Sequence, residues 1–170
     1  MKKLFLLLTI LSITFAGYSQ TEETAESYFI SGSAKFKLKD FNGAIEDLTK
    51  AININPKVAG LYFSRGIAKK KLEDYEGAII DLTKVLEIDP MNSDAYFIRG
   101  TAKFSLFDFS GSIPDFNKAI EINPKYAVAY FYRGYINQAL GKQVDGCSDL
   151  KKAEELGYTA ANEYIKKYCQ

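Results

Sequence analysis

Apolar residues recur three and four places apart in two runs, give way to a short polar stretch, and then the whole pattern returns 34 residues later. In one copy the first run holds Tyr62, Ile67 and Leu72, and the second, Ala78, Leu82 and Val85, steps by four and three. Such spacing puts each run on one face of an amphipathic helix. The copies start at Ala25, Ala59, Ser93 and Ala127, so the units are 25–58, 59–92, 93–126 and 127–160. Their register is carried by Tyr28, Tyr62, Tyr96 and Tyr130 at the fourth place and by Leu48, Leu82, Phe116 and Leu150 at the twenty-fourth. A fixed period of this kind signals stacked supersecondary units, here one helix pair each.

The residues between the runs agree. Asp40, Asp74 and Asp108 stand just before the second run, where a carboxylate accepts hydrogen bonds from unpaired helix N–H groups and opposes the dipole. Pro56, Pro90 and Pro124 close that run, because proline disfavours helical geometry in the residue before it. Gly32, Gly66, Gly100 and Gly134 fall inside the first helix at a cost of ~1 kcal/mol against alanine, which points to close approach of the partner helix. Small Ala44, Ala78, Ser112 and Gly146 supply the other side of that contact. Pro114 breaks the pattern: it is expected to delay or kink the second helix of the third unit, with Ser112 as a late cap.

With an aromatic, then Gly, Ala, an aromatic or Leu, Ala and Pro at these phases over residues 25 to 160, the chain resembles the tetratricopeptide repeat family. The resemblance implies an all-α, right-handed α-solenoid of four helix pairs. It also implies that the first helices line a concave groove which takes a protein or peptide. On that basis Phe29, Phe63, Phe97 and Phe131 are candidate apolar anchors, with Ile67, Thr101 and Tyr135 beside them. An alternative is that these aromatics pack between units. Lys35, Lys69 and Lys103 repeat too, as a solvated face or as a grip on acidic partners. The family's carboxylate clamp for chaperone C-termini is not implied, because Phe29 and Ser33 stand at its first-unit positions.

Arg65, Arg99 and Arg133 occupy a phase where the family often has leucine, and a charge there needs a partner. Ser31 holds that phase in unit one, so pairing within units would strand Asp47. The expectation is therefore a cross-unit ladder: Asp47–Arg65, Asp81–Arg99, Asp115–Arg133 and Asp149–Lys167. Solvated charges on a helix face are the alternative.

The ends carry different signals. Lys2 and Lys3 precede an apolar run from Leu4 to Ala16 and then small Gly17 and Ser19, which reads as a secretory signal peptide over 1–19, with a retained anchor as the alternative. A short tail, 20–24, follows. After the fourth unit, 161–170 is half a repeat, with Tyr164 at the aromatic phase, and is expected to form a capping helix. Cys147 and Cys169 are equidistant from Tyr158, so an antiparallel hairpin turning there brings them together. A disulfide is expected, with two buried thiols as the alternative.

Composition narrows the function. The chain has 47% hydrophobic residues, enough for a core, and a net charge of +1, which gives no bulk attraction to nucleic acid or anionic lipid. There is no histidine, so the commonest general base and metal ligand are missing. No phosphate loop, nucleophile elbow or calcium loop is present, and no metal or cofactor is expected. The expectation is a non-enzymatic, periplasmic or secreted interaction module, without a membrane span once the signal is removed, binding an envelope partner. The alternative is a structural subunit or homo-oligomer that packs through its terminal faces.

Overall fold

The computed structural model describes residues 24–169, so the signal segment 1–19 and most of the short tail lie outside the described residues. Among the described residues nine helices follow one another: α1 (Ala25–Lys37), α2 (Phe41–Ile54), α3 (Ala59–Lys71), α4 (Tyr75–Ile88), α5 (Ser93–Ser105), α6 (Phe109–Ile122), α7 (Ala127–Ala139), α8 (Gln143–Glu155) and α9 (Ala161–Tyr168). Each odd-numbered helix up to α7 packs on the next as a hairpin, and each hairpin stacks on its successor, giving an all-helical solenoid. Among the described residues no helix is long and apolar enough to cross a membrane.

In units one, two and four the hairpin closes where glycine faces the carbonyl of a small residue. A Cβ on Gly66 would lie 3.3 Å from Leu82 and 3.5 Å from the carbonyl of Ala78. Ala44, Ala78 and Ser112 are themselves fully buried. The hairpin turns use a device that the residue types do not announce. Lys39, Glu73 and Phe107 take left-handed φ values of 60–63°, and Gly141 takes 75° at the same place in unit four. In unit two the N–H of Glu73 donates to the Lys70 carbonyl and that of Asp74 to Lys69, which ends α3 as a Schellman motif. Asp74 then caps α4, accepting from the N–H of Gly77 at 2.9 Å. One residue thus closes one helix and opens the next, so a two-helix turn needs only three residues.

Pro114 does not delay its helix. α6 begins at Phe109, in phase with α2 and α4, and Asp108 caps it through Gly111 at 2.8 Å. The expected late cap, Ser112, instead donates its hydroxyl to the Asp108 carbonyl at 2.5 Å. Ser110, whose carbonyl loses its usual donor, is exposed along with Pro114, so water can take the missing place.

The expected cross-unit ladder is also corrected. Arg65 pairs with Asp81, Arg99 with Asp115 and Arg133 with Asp149, each within its own unit, with a guanidinium nitrogen 2.6 Å from the carboxylate. The cause is the glycine contact: a Gly66 Cβ would sit 3.4 Å from the Cβ of Asp81, so the arginine one place earlier already faces that carboxylate. The link between units comes from the third guanidinium nitrogen, which donates back to Thr49, Thr83 or Asn117 of the preceding unit. Asp47 is not stranded: Ser31 donates to it at 2.6 Å and Lys35 pairs with it at 2.7 Å. Burial raises its pKa, but the bonds from Lys35 and Ser31 outweigh this and hold the carboxyl below its ordinary value. Among the described residues no Asp149–Lys167 pair forms.

At the C-terminal end, α9 packs on α8 and touches α7. Ala161 is buried, and the Tyr164 ring lies 5.1 Å from Phe131 and 5.6 Å from Tyr135. Cys147 and Cys169 are joined by a disulfide with their Cα atoms 5.5 Å apart.

Candidate interaction groove

The first helices of successive units lie side by side, α1 against α3 and α3 against α5, and their common face differs between the two halves of the molecule. In the C-terminal half, aromatic side chains occupy most of it and leave a smaller cleft, of about 100 Å³, walled by Tyr135, Gln138, Ala139 and Tyr168. Phe97 sits 4.9 Å from Tyr126 and 5.8 Å from Tyr132, while Phe116 stacks on Tyr132 at 5.7 Å. Phe131 is covered by Tyr158 and Tyr164, and Tyr135 by Phe104 and Tyr164. Burial pushes the Tyr132 phenol above its ordinary pKa, with Tyr158 adding to the effect. Two of the expected groove anchors, Phe97 and Phe131, and the expected secondary contact Tyr135 are therefore half-buried parts of an internal aromatic cluster.

Thr101 is 5% exposed and turns its hydroxyl onto the Ile98 carbonyl, so it is not a surface contact. Phe63 is half-buried against the N-terminal core. Phe29 is 37% exposed on α1. Lys35, Lys69 and Lys103 neither face solvent freely nor offer a grip, because each pairs with the buried aspartate of its unit at 2.7–2.9 Å.

The N-terminal half is open. A cleft of about 210 Å³ between α1 and α3 is walled by Gly32, Ser33, Phe36, Lys37, Leu48, Ser64 and Ile67. A second, of about 260 Å³, lies between α3 and α5 and is walled by Ile67, Lys70, Lys71, Tyr75, Ile98 and Ser105. Ile67 is common to both, so the two clefts adjoin at its side chain. Burial, and secondarily repulsion from Lys71, holds the Lys70 ammonium below its ordinary pKa. No ion pair or hydrogen bond satisfies Lys70 among the described residues.

Of the residues expected in the groove, only Ile67 lies in these walls; Phe36, Lys37, Ser64, Lys70, Lys71 and Ile98 were missed. A signal existed in the sequence. At the phase of Lys70 the units carry Phe36, Lys70, Phe104 and Gln138, and at the next Lys37, Lys71, Ser105 and Ala139, whereas the structural phases barely change. Variation between otherwise matching units marks places that the fold does not prescribe.

Helix hairpins stacked around such a face define a repeat scaffold. The chain belongs to the tetratricopeptide repeat family: one tetratricopeptide repeat model matches residues 25–58, 59–92 and 93–126, and a second matches 116–147. The TPR domain of Arabidopsis OM64 is 31% identical, with a TM-score of 0.65 over 68% of this chain and 95% of that one. The first TPR of Spaghetti (RPAP3), bound to an HSP90 peptide, is 25% identical, with a TM-score of 0.67 over 74% and 99% of the two chains. MamA is 23% identical with a TM-score of 0.77 over 85% and 89%, a likeness of fold. No protein of curated function matches the chain at a significant level. Members of this family are protein-interaction modules.

Proposed function

We propose that the chain is a non-enzymatic interaction module that holds a peptide or helical segment of an envelope partner in the N-terminal half of its groove. The observation that carries this is the pair of clefts meeting at Ile67, apolar where they meet and open to solvent, in a molecule whose other groove half is largely occupied by its own aromatics. The related Spaghetti domain, solved with a bound HSP90 peptide, supports the use of such a face for a short segment. A periplasmic or secreted location is supported by the basic, apolar and small-residue order of residues 1–19. The paired cysteines suit the same compartment.

Ser64→Tyr places a ring in the first cleft, at a position that is itself only half-buried. It should abolish partner binding in a pull-down from envelope extract while leaving the helical circular dichroism intact. A partner retained by this variant, yet lost when α1 is altered at Ile30, would move the function to the terminal face. That second reading, a structural subunit or homo-oligomer, is favoured by one observation: Ile30 is 61% exposed.

A further inference from the structure

Cations crowd the first helices, and six of the nine are neutralised inside the fold. Arg65, Arg99 and Arg133 and Lys35, Lys69 and Lys103 each face the buried aspartate of their own hairpin. Lys70 is different. It is half-buried in the wall of the second cleft, with Lys71 beside it and no carboxylate among the residues that line either cleft. Lys37 carries the same sign in the wall of the first cleft. The fold does not require a lysine there, since Phe36 and Phe104 occupy its phase in units one and three and Gln138 in unit four. A half-buried ammonium without a counter-charge is unfavourable, and a carboxylate brought by a ligand relieves it.

Between these cations the wall is apolar: Phe36 and Ile67 in the first cleft, Ile67 and Ile98 in the second. A ligand matching both features carries carboxylates on either side of an aliphatic or aromatic side chain. A polyphosphate satisfies the lysines and leaves the apolar wall uncovered. Resting on the groove reading above, we infer that this half of the groove takes an acidic protein segment, with one apolar side chain seated against Ile67 and its flanking carboxylates at Lys37, Lys70 and Lys71.

The test is a selection of random dodecapeptides displayed on phage against the full-length chain, followed by fluorescence anisotropy of the enriched peptides. The comparison variants are Lys70→Gln/Lys71→Ala and Ser64→Tyr. The lysine variant copies the residues that unit four already carries at Gln138 and Ala139, so the hairpin accommodates it. Enriched peptides should carry Asp or Glu around a Leu or Phe, should bind the lysine variant at least about tenfold more weakly and should weaken with added salt. Binding to Ser64→Tyr should be lost. Peptides blocked by Ser64→Tyr but lacking acidic residues, or indifferent to the lysine variant, overturn the acidic ligand and leave the groove in place. If no enriched peptide responds to Ser64→Tyr, both readings fall. A single-stranded DNA that displaces the peptides overturns the assignment to a protein segment.

Discussion

Glycine at the eighth place of each unit lets two helices approach, and the tightness of that approach depends on the residue opposite. In unit two a Cβ on Gly66 would be 3.3 Å from Leu82, close but within reach of a small adjustment. In unit three Phe116 replaces leucine, and a Cβ on Gly100 would be 2.8 Å from its ring. Phe116 is wholly buried and stacked on Tyr132, so it cannot swing away. Gly100→Ala should therefore destabilise by about 1–3 kcal/mol through overpacking, despite its better helix propensity. Gly66→Ala should cost clearly less. Urea denaturation of both variants checks the order. The glycines were legible from sequence as contact points, but their ranking was not, because it is set by a ring stacked across from another unit.

At the scale of elements, the hairpin turn and the terminal cap stand apart. The second-helix caps could be read from Asp40, Asp74 and Asp108, but the left-handed residues before them could not, because Lys39, Glu73 and Phe107 are not turn formers. The turn is imposed by the two helices it joins. α9 is the opposite case, a helix that its own sequence supports poorly. It has eight residues and no side-chain cap at Ala160, too little to persist alone. Tyr164 and the Cys147–Cys169 bond hold it in place. Cys147→Ser/Cys169→Ser should remove roughly 3 kcal/mol of loop-closure stabilisation. In a solenoid each unit depends mainly on its neighbours, so the loss should be local. Hydrogen exchange is expected to show protection lost over 161–168 and kept in α1–α6; loss throughout the chain would mean that the cap supports the entire stack.

At the scale of the whole molecule, and among the described residues, the two ends are unequal. One is closed by α9, whereas at the other Ile30 of α1 is 61% exposed and Leu38, just past its end, 80% exposed. If the terminal face mediates self-association, sedimentation velocity should show a concentration-dependent dimer that Ile30→Glu dissolves. A monomer at all concentrations, with Ile30→Glu unchanged, leaves the groove as the working surface.

The number of units, their boundaries and the helix pair within each were legible in the order of residues alone, because these follow from local periodicity, caps and prolines that recur in phase. That order also marked which residues carry charge and which are small. The tertiary structure decided which charges meet. A carboxylate and a guanidinium pair according to the distance between helices that glycine sets, and at Asp47 a serine hydroxyl takes the arginine's place beside the lysine that units two and three also carry. It decided the groove as well. A phenylalanine at a fixed phase can be an anchor or a filler, and the choice depends on rings from the neighbouring unit. Tyr132, Tyr158 and Tyr164 close the C-terminal half, while Ser64 and Ile67 leave the other half open.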